Sequence, residues 1–212
     1  MKLYGHPMST CTRKAMTVLA ERNESYDFVL VDLMKGEHKQ PDHLARQPFG
    51  VVPVLDDNGF QLFESRAICR YLDEVCSGGT KLTPSNAKDR ALMEQWISVE
   101  HSYFTPAAMK VITETMFKPM LYGQAPDEGN LKAGRDATTK AAVILDNHLG
   151  NKDFLVGSKF TIADICYLPY IEYLFAGKQG DLITDHKNLA SWWNRCSERA
   201  SWQVASGKKS AA

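Results

Sequence analysis

Apolar and polar residues alternate along this chain in two different rhythms, and the rhythm changes near residue 77. Up to that point the pattern predicts strands and helices in turn. Lys2 to Gly5 reads as a short strand. Thr12 to Arg22 carries Ala15, Met16, Leu19 and Ala20 at i, i+3, i+4 spacing, which marks an amphipathic helix. Tyr26 to Val31 alternates and predicts a second strand. Met34 to Gln40 is polar and contains glycine, a loop. Pro41 to Arg46 suits one or two helical turns with proline at the first position. Val52 to Leu55 and Phe60 to Phe63 flank Asp56-Asp57-Asn58-Gly59, an antiparallel hairpin signal. Ser65 to Val75 closes the region as a helix, with Ala67, Ile68, Tyr71, Leu72 and Val75 on one face.

The order β-α-β-α-β-β-α implies a mixed sheet, part crossover and part hairpin, with few ways to assemble. Ser77 to Asn86 then has linker composition. Beyond it, Ala87 to Met116, Asn130 to His148, Thr161 to Leu174 and Leu189 to Ser201 show helical periodicity. Thr161-Ile162-Ala163-Asp164 has the form of a capping box with Asp in place of Glu. The expected layout is an α/β domain over 1–77, a linker over 78–86 and an all-helical domain over 87–212.

Composition narrows the class. Of 212 residues, 25 are Lys or Arg and 25 are Asp or Glu, so the formal net charge is zero. A neutral chain offers no broad electrostatic footprint for nucleic acid or anionic lipid. The longest apolar run is far short of a membrane span, and a strand signal at the very start argues against a cleavable leader. Five cysteines, without paired or zinc-type spacing, argue for a reducing compartment and against a disulfide framework. The expectation is a cytoplasmic protein with no membrane or nucleic-acid partner. The six histidines lack metal-ligand spacing, so no metal is expected.

Four short stretches can carry chemistry, and each also has a plain structural reading. Ser9 falls between the first strand and first helix, in Gly5-His6-Pro7-Met8-Ser9-Thr10-Cys11-Thr12-Arg13. A serine there caps a helix. It also sets a hydroxyl beside a helix N-terminus, where anions such as thiolates are stabilised. Val52-Pro53 suits the opening of an edge strand. A cis bond there would instead turn the valine N–H and C=O outward to pair with an extended peptide. In Phe63-Glu64-Ser65-Arg66, Ser65 is either an N-cap beside a solvated Glu64 or part of an amino-acid site. In that site Ser65 and the first helical N–H groups hold a carboxylate and Glu64 holds an ammonium. Gly36-Glu37-His38-Lys39 is a solvated loop, or His38 and Lys39 bind a second carboxylate. Three of the four lie on loops at C-terminal strand ends or on the facing hairpin strand, where open α/β sheets place ligands. Together they would satisfy a zwitterionic peptide with two carboxylates, one ammonium and a thiol. Cys11 is either a redox thiol at a helix N-terminus or a half-buried bystander. Trp96, Phe117 and Trp192-Trp193 read as core aromatics of the helical domain.

These residues carry a family resemblance. The whole chain resembles the glutathione transferases, and within them the serine-type phi class abundant in plants. The matching stretches are Leu3-Tyr4-Gly5-His6-Pro7-Met8-Ser9 with Thr12-Arg13-Lys14, Gly36-Glu37-His38-Lys39, Gln47-Pro48-Phe49-Gly50 with Val52-Pro53, and Leu62 through Ile68. Phe117-Lys118-Pro119, Phe154 through Gly157, Phe160 through Asp164 and Trp192 through Trp202 extend the match nearly end to end. The resemblance implies a thioredoxin-like first domain with a four-stranded mixed sheet, an all-helical second domain, and glutathione as co-substrate with no cofactor. It implies Ser9 as the hydroxyl facing the glutathione sulfur, and His38 and Lys39 at the glycine carboxylate. The Val52 backbone, helped by a cis Pro53, would pair with the cysteinyl unit. Glu64 and Ser65 would hold the γ-glutamyl end. It also implies a homodimer that pairs the first domain of each subunit with the second domain of the other. Val51 stands where the family usually has glutamine, so one side-chain contact to glutathione is expected to be missing. Met8, Cys11 and Phe117 are the expected lining for the hydrophobic electrophile.

The expected activity is conjugation of the glutathione thiolate to hydrophobic electrophiles, with reduction of organic hydroperoxides as a further reaction. Three rivals make different demands. A non-catalytic ligand carrier predicts tight binding without turnover that depends on Ser9. A transferase-like interaction module of the kind found in translation factors predicts an additional domain. A thiol transferase working through Cys11 would survive loss of Ser9 and fail on loss of Cys11.

Overall fold

A computed structural model describes residues 1–209. The chain forms two compact units: Met1–Thr83 joined by the carboxyl-terminal segment from Arg199, and Pro84–Glu198. The first unit is built on β1 (Lys2–Gly5), β2 (Asp27–Leu30), β3 (Val54–Asp57) and β4 (Phe60–Phe63), in the order β2-β1-β3-β4. β1 pairs parallel with β2 and antiparallel with β3, and β3 pairs antiparallel with β4. The hairpin is tighter than the sequence suggests. Asp57 pairs with Phe60, so only Asn58 and Gly59 form the loop, with φ of 53° and 94°. Positive φ at both positions is what a type I′ turn requires, and Asn-Gly supplies it at little cost.

Helices α1 (Thr10–Glu21), α2 (Pro41–Leu44) and α3 (Ser65–Val75) complete this unit's α/β part. Leu3, Val18, Leu19, Val54, Leu55, Ile68 and Leu72 are fully buried and form its core. The expected linker is tied down rather than free. The buried Asp73 carboxylate accepts the N–H groups of Leu82 and Thr83, each at 2.8 Å, and lies 3.6 Å from Arg22 Nε. The sequence reading carried the helical domain to residue 212. In the structure the chain turns extended at Arg199, and the short helix α10 (Ala200–Ala205) packs on α1. Arg199 donates to both Glu21 carboxylate oxygens at 2.7 and 2.8 Å, and Ser201 donates to one of them at 2.5 Å. The expected single helix to Ser201 is therefore two, and residues 210–212 lie outside the described part.

The second unit is helical. α4 (Ala87–Val99) and α5 (Thr105–Ile112) alternate with π-helical stretches at Glu100–Phe104 and Thr113–Tyr122. Pro106 and Pro119 adjoin or sit inside these stretches and cannot donate to the helical ladder, which favours a shifted bonding pattern. α6 (Glu128–Leu149), α7 (Ile162–Ala176), α8 (Asp181–Thr184) and α9 (Lys187–Ser197) follow. α6 crosses α5 closely at Gly134, where a Cβ would lie 2.9 Å from Lys110 Cβ. The capping box at α7 forms, and its Asp164 is the hub of the unit. One carboxylate oxygen accepts the Thr161 N–H and hydroxyl at 2.9 and 3.0 Å. The other accepts the Leu155 N–H at 2.9 Å and Trp192 Nε1 at 2.8 Å. Trp96, Trp192 and Trp193 are buried as expected, whereas Phe117 is only half-buried. Among the described residues no helix is long and apolar enough to cross a membrane, and no His/Cys/Asp/Glu group could hold a metal ion.

Candidate functional site: one end of the sheet

The strand register places all four candidate stretches at the same end of the sheet. Gly5 pairs with Leu30, Tyr4 with Val54, and Val54 with Phe63. The loop carrying Ser9 follows Gly5, the loop carrying His38 and Lys39 follows β2, Pro53 precedes Val54, and Glu64 follows Phe63. Neighbouring strands are about 4.8 Å apart, so the four openings span roughly 15 Å. That is the scale of a short extended peptide.

Ser9 is held from three sides. Its N–H donates to the His6 carbonyl at 2.8 Å, and its carbonyl accepts the Arg13 N–H at 3.0 Å. Its Oγ accepts the Thr12 N–H at 3.2 Å, so the residue is the N-cap of α1. Gly5 allows this close return, because a Cβ there would lie 2.5 Å from Thr12 Cγ2. The capping role does not exclude the chemical one. A hydroxyl has two acceptor lone pairs and one proton, and the cap uses a lone pair. The proton stays available to a ligand beside the helix N-terminus.

The Val52–Pro53 bond is cis, and β3 begins only at Val54. Among the described residues the Val52 N–H and C=O take part in no hydrogen bond. The preceding carbonyl, of Val51, meets His43 Nε2 at 2.8 Å. The Val51 side chain, expected from the resemblance to leave a glutathione contact unmade, is exposed.

Glu64, not Ser65, occupies the N-cap of α3, and no side chain caps this helix. This corrects the structural reading of Ser65 as the cap. Glu64 has φ 73° and ψ 105°, a conformation costing on the order of 1–3 kcal/mol in a non-glycine residue. Ser65, 3% exposed, is the first helical residue. The first N–H groups of α3 have no partner within the helix, and the macrodipole there favours an anion.

His38 and Lys39 lie on a one-turn 3₁₀ helix, Glu37–Lys39, entered through Gly36 at φ 71°. His38 Nδ1 is buried without a hydrogen bond. Burial lowers the His38 pKa, aided by the charges of Lys39 and His43. The imidazole is thus neutral near pH 7, and Lys39 carries the charge of the pair. Lys39 Nζ donates to the Phe49 carbonyl at 3.2 Å. That segment is itself braced by buried Gln47, whose Oε1 accepts the Phe49 N–H at 2.6 Å.

Met8 is exposed and Cys11 half-buried, with Thr10 Oγ1 4.0 Å from the Cys11 sulfur. Phe117 belongs to the second unit, where its ring meets Tyr173 edge-on at 6.0 Å. Sequence reasoning missed the residues that brace the loops: His43, Gln47 and above all Arg13. Arg13 and Gln47 were visible only as members of matching stretches.

A mixed sheet of this order with helices around it, followed by an all-helical unit, is the thioredoxin-like two-domain architecture of enzymes that handle glutathione. Residues 1–74 match the family model for the glutathione S-transferase N-terminal domain, and residues 104–200 match that for its C-terminal domain. Glutathione S-transferase F10 of Arabidopsis thaliana is 36% identical over 207 residues, covering 96% of this chain and 95% of its own. The crystal structure of glutathione transferase F2 from Populus trichocarpa matches with a TM-score of 0.93 and 37% identity, over 98% and 97% of the two chains. Glutathione S-transferase I from maize, solved with an atrazine glutathione conjugate, matches with a TM-score of 0.89 and 31% identity, over 99% of each chain. The chain belongs to the glutathione S-transferase family as a phi-class enzyme.

Proposed function

We propose that Ser9 ionises the thiol of bound glutathione, and that the thiolate then attacks hydrophobic electrophiles. The observation that carries this reading is the Ser9 hydroxyl, which caps α1 through a lone pair and keeps its proton for a ligand. A free thiol with pKa about 8.5 is only about 3% thiolate at pH 7. Lowering the pKa by two units requires roughly 2.7 kcal/mol of selective stabilisation. A hydrogen bond from Ser9 to the sulfur anion supplies about 1.5–3 kcal/mol, and the α1 N-terminus adds about 0.3–1 kcal/mol. No general base is needed. The thiolate forms a C–S bond with the electrophile, expelling halide from an aryl halide or adding to the central carbon of an isothiocyanate, whose nitrogen then takes a proton, with positioning supplying further acceleration. With a hydroperoxide it takes the distal oxygen, releasing the alcohol. A second glutathione then yields the disulfide and water.

In this reading the tripeptide lies across the sheet end. The free Val52 N–H and C=O pair with the cysteinyl backbone. Lys39, with His38 as a neutral hydrogen-bonding partner, meets the glycine carboxylate. Glu64 takes the γ-glutamyl ammonium, while Ser65 and the α3 N-terminus take its carboxylate. Ser65→Ala is then expected to raise the glutathione KM by about tenfold, for loss of a charge-assisted bond. An unchanged KM would remove Ser65 from the site. The maize relative's atrazine conjugate supports aromatic electrophiles as the first substrates to assay, beside isothiocyanates and hydroperoxides. Glutathione binding with no turnover on any of them would favour a carrier.

We also propose that the chain works as a homodimer. Phe49 and Phe60 are 70% and 50% exposed on the first unit, and Tyr103 and Ile144 are 69% and 58% exposed on the second. Val99, Tyr103, Pro106, Ala107 and Ile144 line a largely apolar cavity of about 470 Å³ within the second unit. Apolar groups on this scale are commonly covered by a partner. Sedimentation at micromolar concentration is expected to give twice the 23.8 kDa chain mass. A 23.8 kDa species under those conditions would refute the dimer.

A further inference from the structure

Arg13 lies one turn beyond Ser9 on α1 and is only 6% exposed. A guanidinium carries five N–H donors and is costly to bury unless acceptors meet it. Its Nε donates to the Pro7 carbonyl at 2.7 Å, and its Nη2 lies 3.7 Å from the Met8 sulfur. Both acceptors belong to the loop that delivers Ser9. Nη2 also lies 3.5 Å from the Ser206 carbonyl at the end of α10. That helix is fastened to α1 in turn, through Arg199, Ser201 and Glu21. The guanidinium is therefore fixed between the loop before α1 and the end of the terminal helix.

The neighbouring bonds explain why the loop needs this hold. Ser9 is fixed at its own N–H and hydroxyl, and the Met8 N–H is taken by His6 Nδ1 at 3.2 Å. Pro7 has no N–H, so its carbonyl is the one backbone polar group by which it can be held. We propose that Arg13 is a positioning residue: by holding the Pro7 carbonyl and the Met8 side chain, it aims the Ser9 hydroxyl at the glutathione sulfur. This inference rests on the Ser9 reading above. Displacements of about 1 Å cost on the order of 100-fold where reacting groups are pre-oriented, so a loosened loop has a measurable effect.

The test is an ultraviolet titration of the bound glutathione thiolate, paired with steady-state kinetics. Arg13→Leu is expected to raise the bound thiol pKa by about one unit and lower kcat at pH 7 about threefold, with the glutathione KM unchanged within about twofold. Arg13→Lys keeps the charge but not the fork, and is expected to recover only part of each effect. In a Ser9→Ala background, Arg13→Leu should add nothing to the thiol pKa, because it acts through Ser9. An unchanged thiol pKa in folded Arg13→Leu overturns the proposal, as does an additive shift in the Ser9→Ala background. Should Arg13→Leu not fold, Arg13→Lys decides, and wild-type thiol pKa and kcat in that variant overturn it. The two readings fail separately. A silent Ser9→Ala sinks the Ser9 assignment, whereas an effective Ser9→Ala with a silent Arg13→Leu sinks only the role of Arg13.

Discussion

Ser9→Ala is expected to leave glutathione bound while raising its thiol pKa by one to two units, roughly 1.4–2.7 kcal/mol. Binding survives because Lys39, Val52, Glu64 and Ser65 are untouched. With the wild-type bound pKa at about 6.5, the thiolate fraction at pH 7, and conjugation with it, should fall about threefold to 25-fold. The pH dependence follows from the sign of the shift. A thiol whose bound pKa is depressed stays ionised below the free value of about 8.5, so the deficit is largest there. Above that value the free thiol ionises unaided, and wild type and variant converge. The structure also changes which measurement decides. Because Ser9 does cap α1, Ser9→Ala loses about 1 kcal/mol of stability whatever its chemistry. A drop in Tm therefore discriminates nothing, and only the thiolate titration does. Superimposable titration curves would reduce Ser9 to a cap. A parallel Cys11→Ala titration is expected to match wild type, and a shift there would point to the neighbouring thiol.

What could be read from the sequence was mostly what is local. β1, β4 and α3 lie where periodicity puts them, and Asn58-Gly59 marks the hairpin through its own backbone preference. The capping box, Thr161 to Asp164, is four residues long and visible as a motif. The indole of Trp192, which also donates to Asp164, arrives from 28 positions away and left no local signal. The same holds for Arg199 and Glu21, 178 positions apart, whose bond places α10 with the first unit. At α3, propensity pointed to the wrong residue. Serine is the favoured N-cap, yet Glu64 holds that position in a left-handed conformation that propensity disfavours. A locally disfavoured residue at the end of β4 is the kind of conflict that marks a functional site. Arg13 escaped notice for a different reason. Two of its acceptors are backbone carbonyls, of Pro7 and Ser206, and backbone acceptors leave no trace in residue type.

Asp164→Ala is expected to produce the largest loss of stability of any substitution considered, about 3–5 kcal/mol, the range for breaking a buried charged hub. The carboxylate accepts four donors: the N–H groups of Leu155 and Thr161, the Thr161 hydroxyl and the Trp192 indole. Each buried donor left unmet costs about 1–3 kcal/mol, although the hydroxyl can rotate to another acceptor and the losses are not additive. Burial raises the Asp164 pKa, and the same four donors oppose that rise by favouring the ionised form. Alanine removes both the charge and every acceptor, and leaves a cavity at a fully buried position. Asp164→Asn keeps one acceptor oxygen but turns an NH₂ group toward donors, so an intermediate loss of about 1–3 kcal/mol is expected. Thermal unfolding followed by tryptophan fluorescence should show Asp164→Ala melting roughly 10 °C below wild type. Below the transition the bound thiol pKa should match wild type, since the groups assigned to glutathione all belong to the first unit. A loss under about 1 kcal/mol would mean that water or rearranged neighbours satisfy the four donors. A shifted thiol pKa in the folded variant would instead mean that this buried hub reaches the chemistry at Ser9.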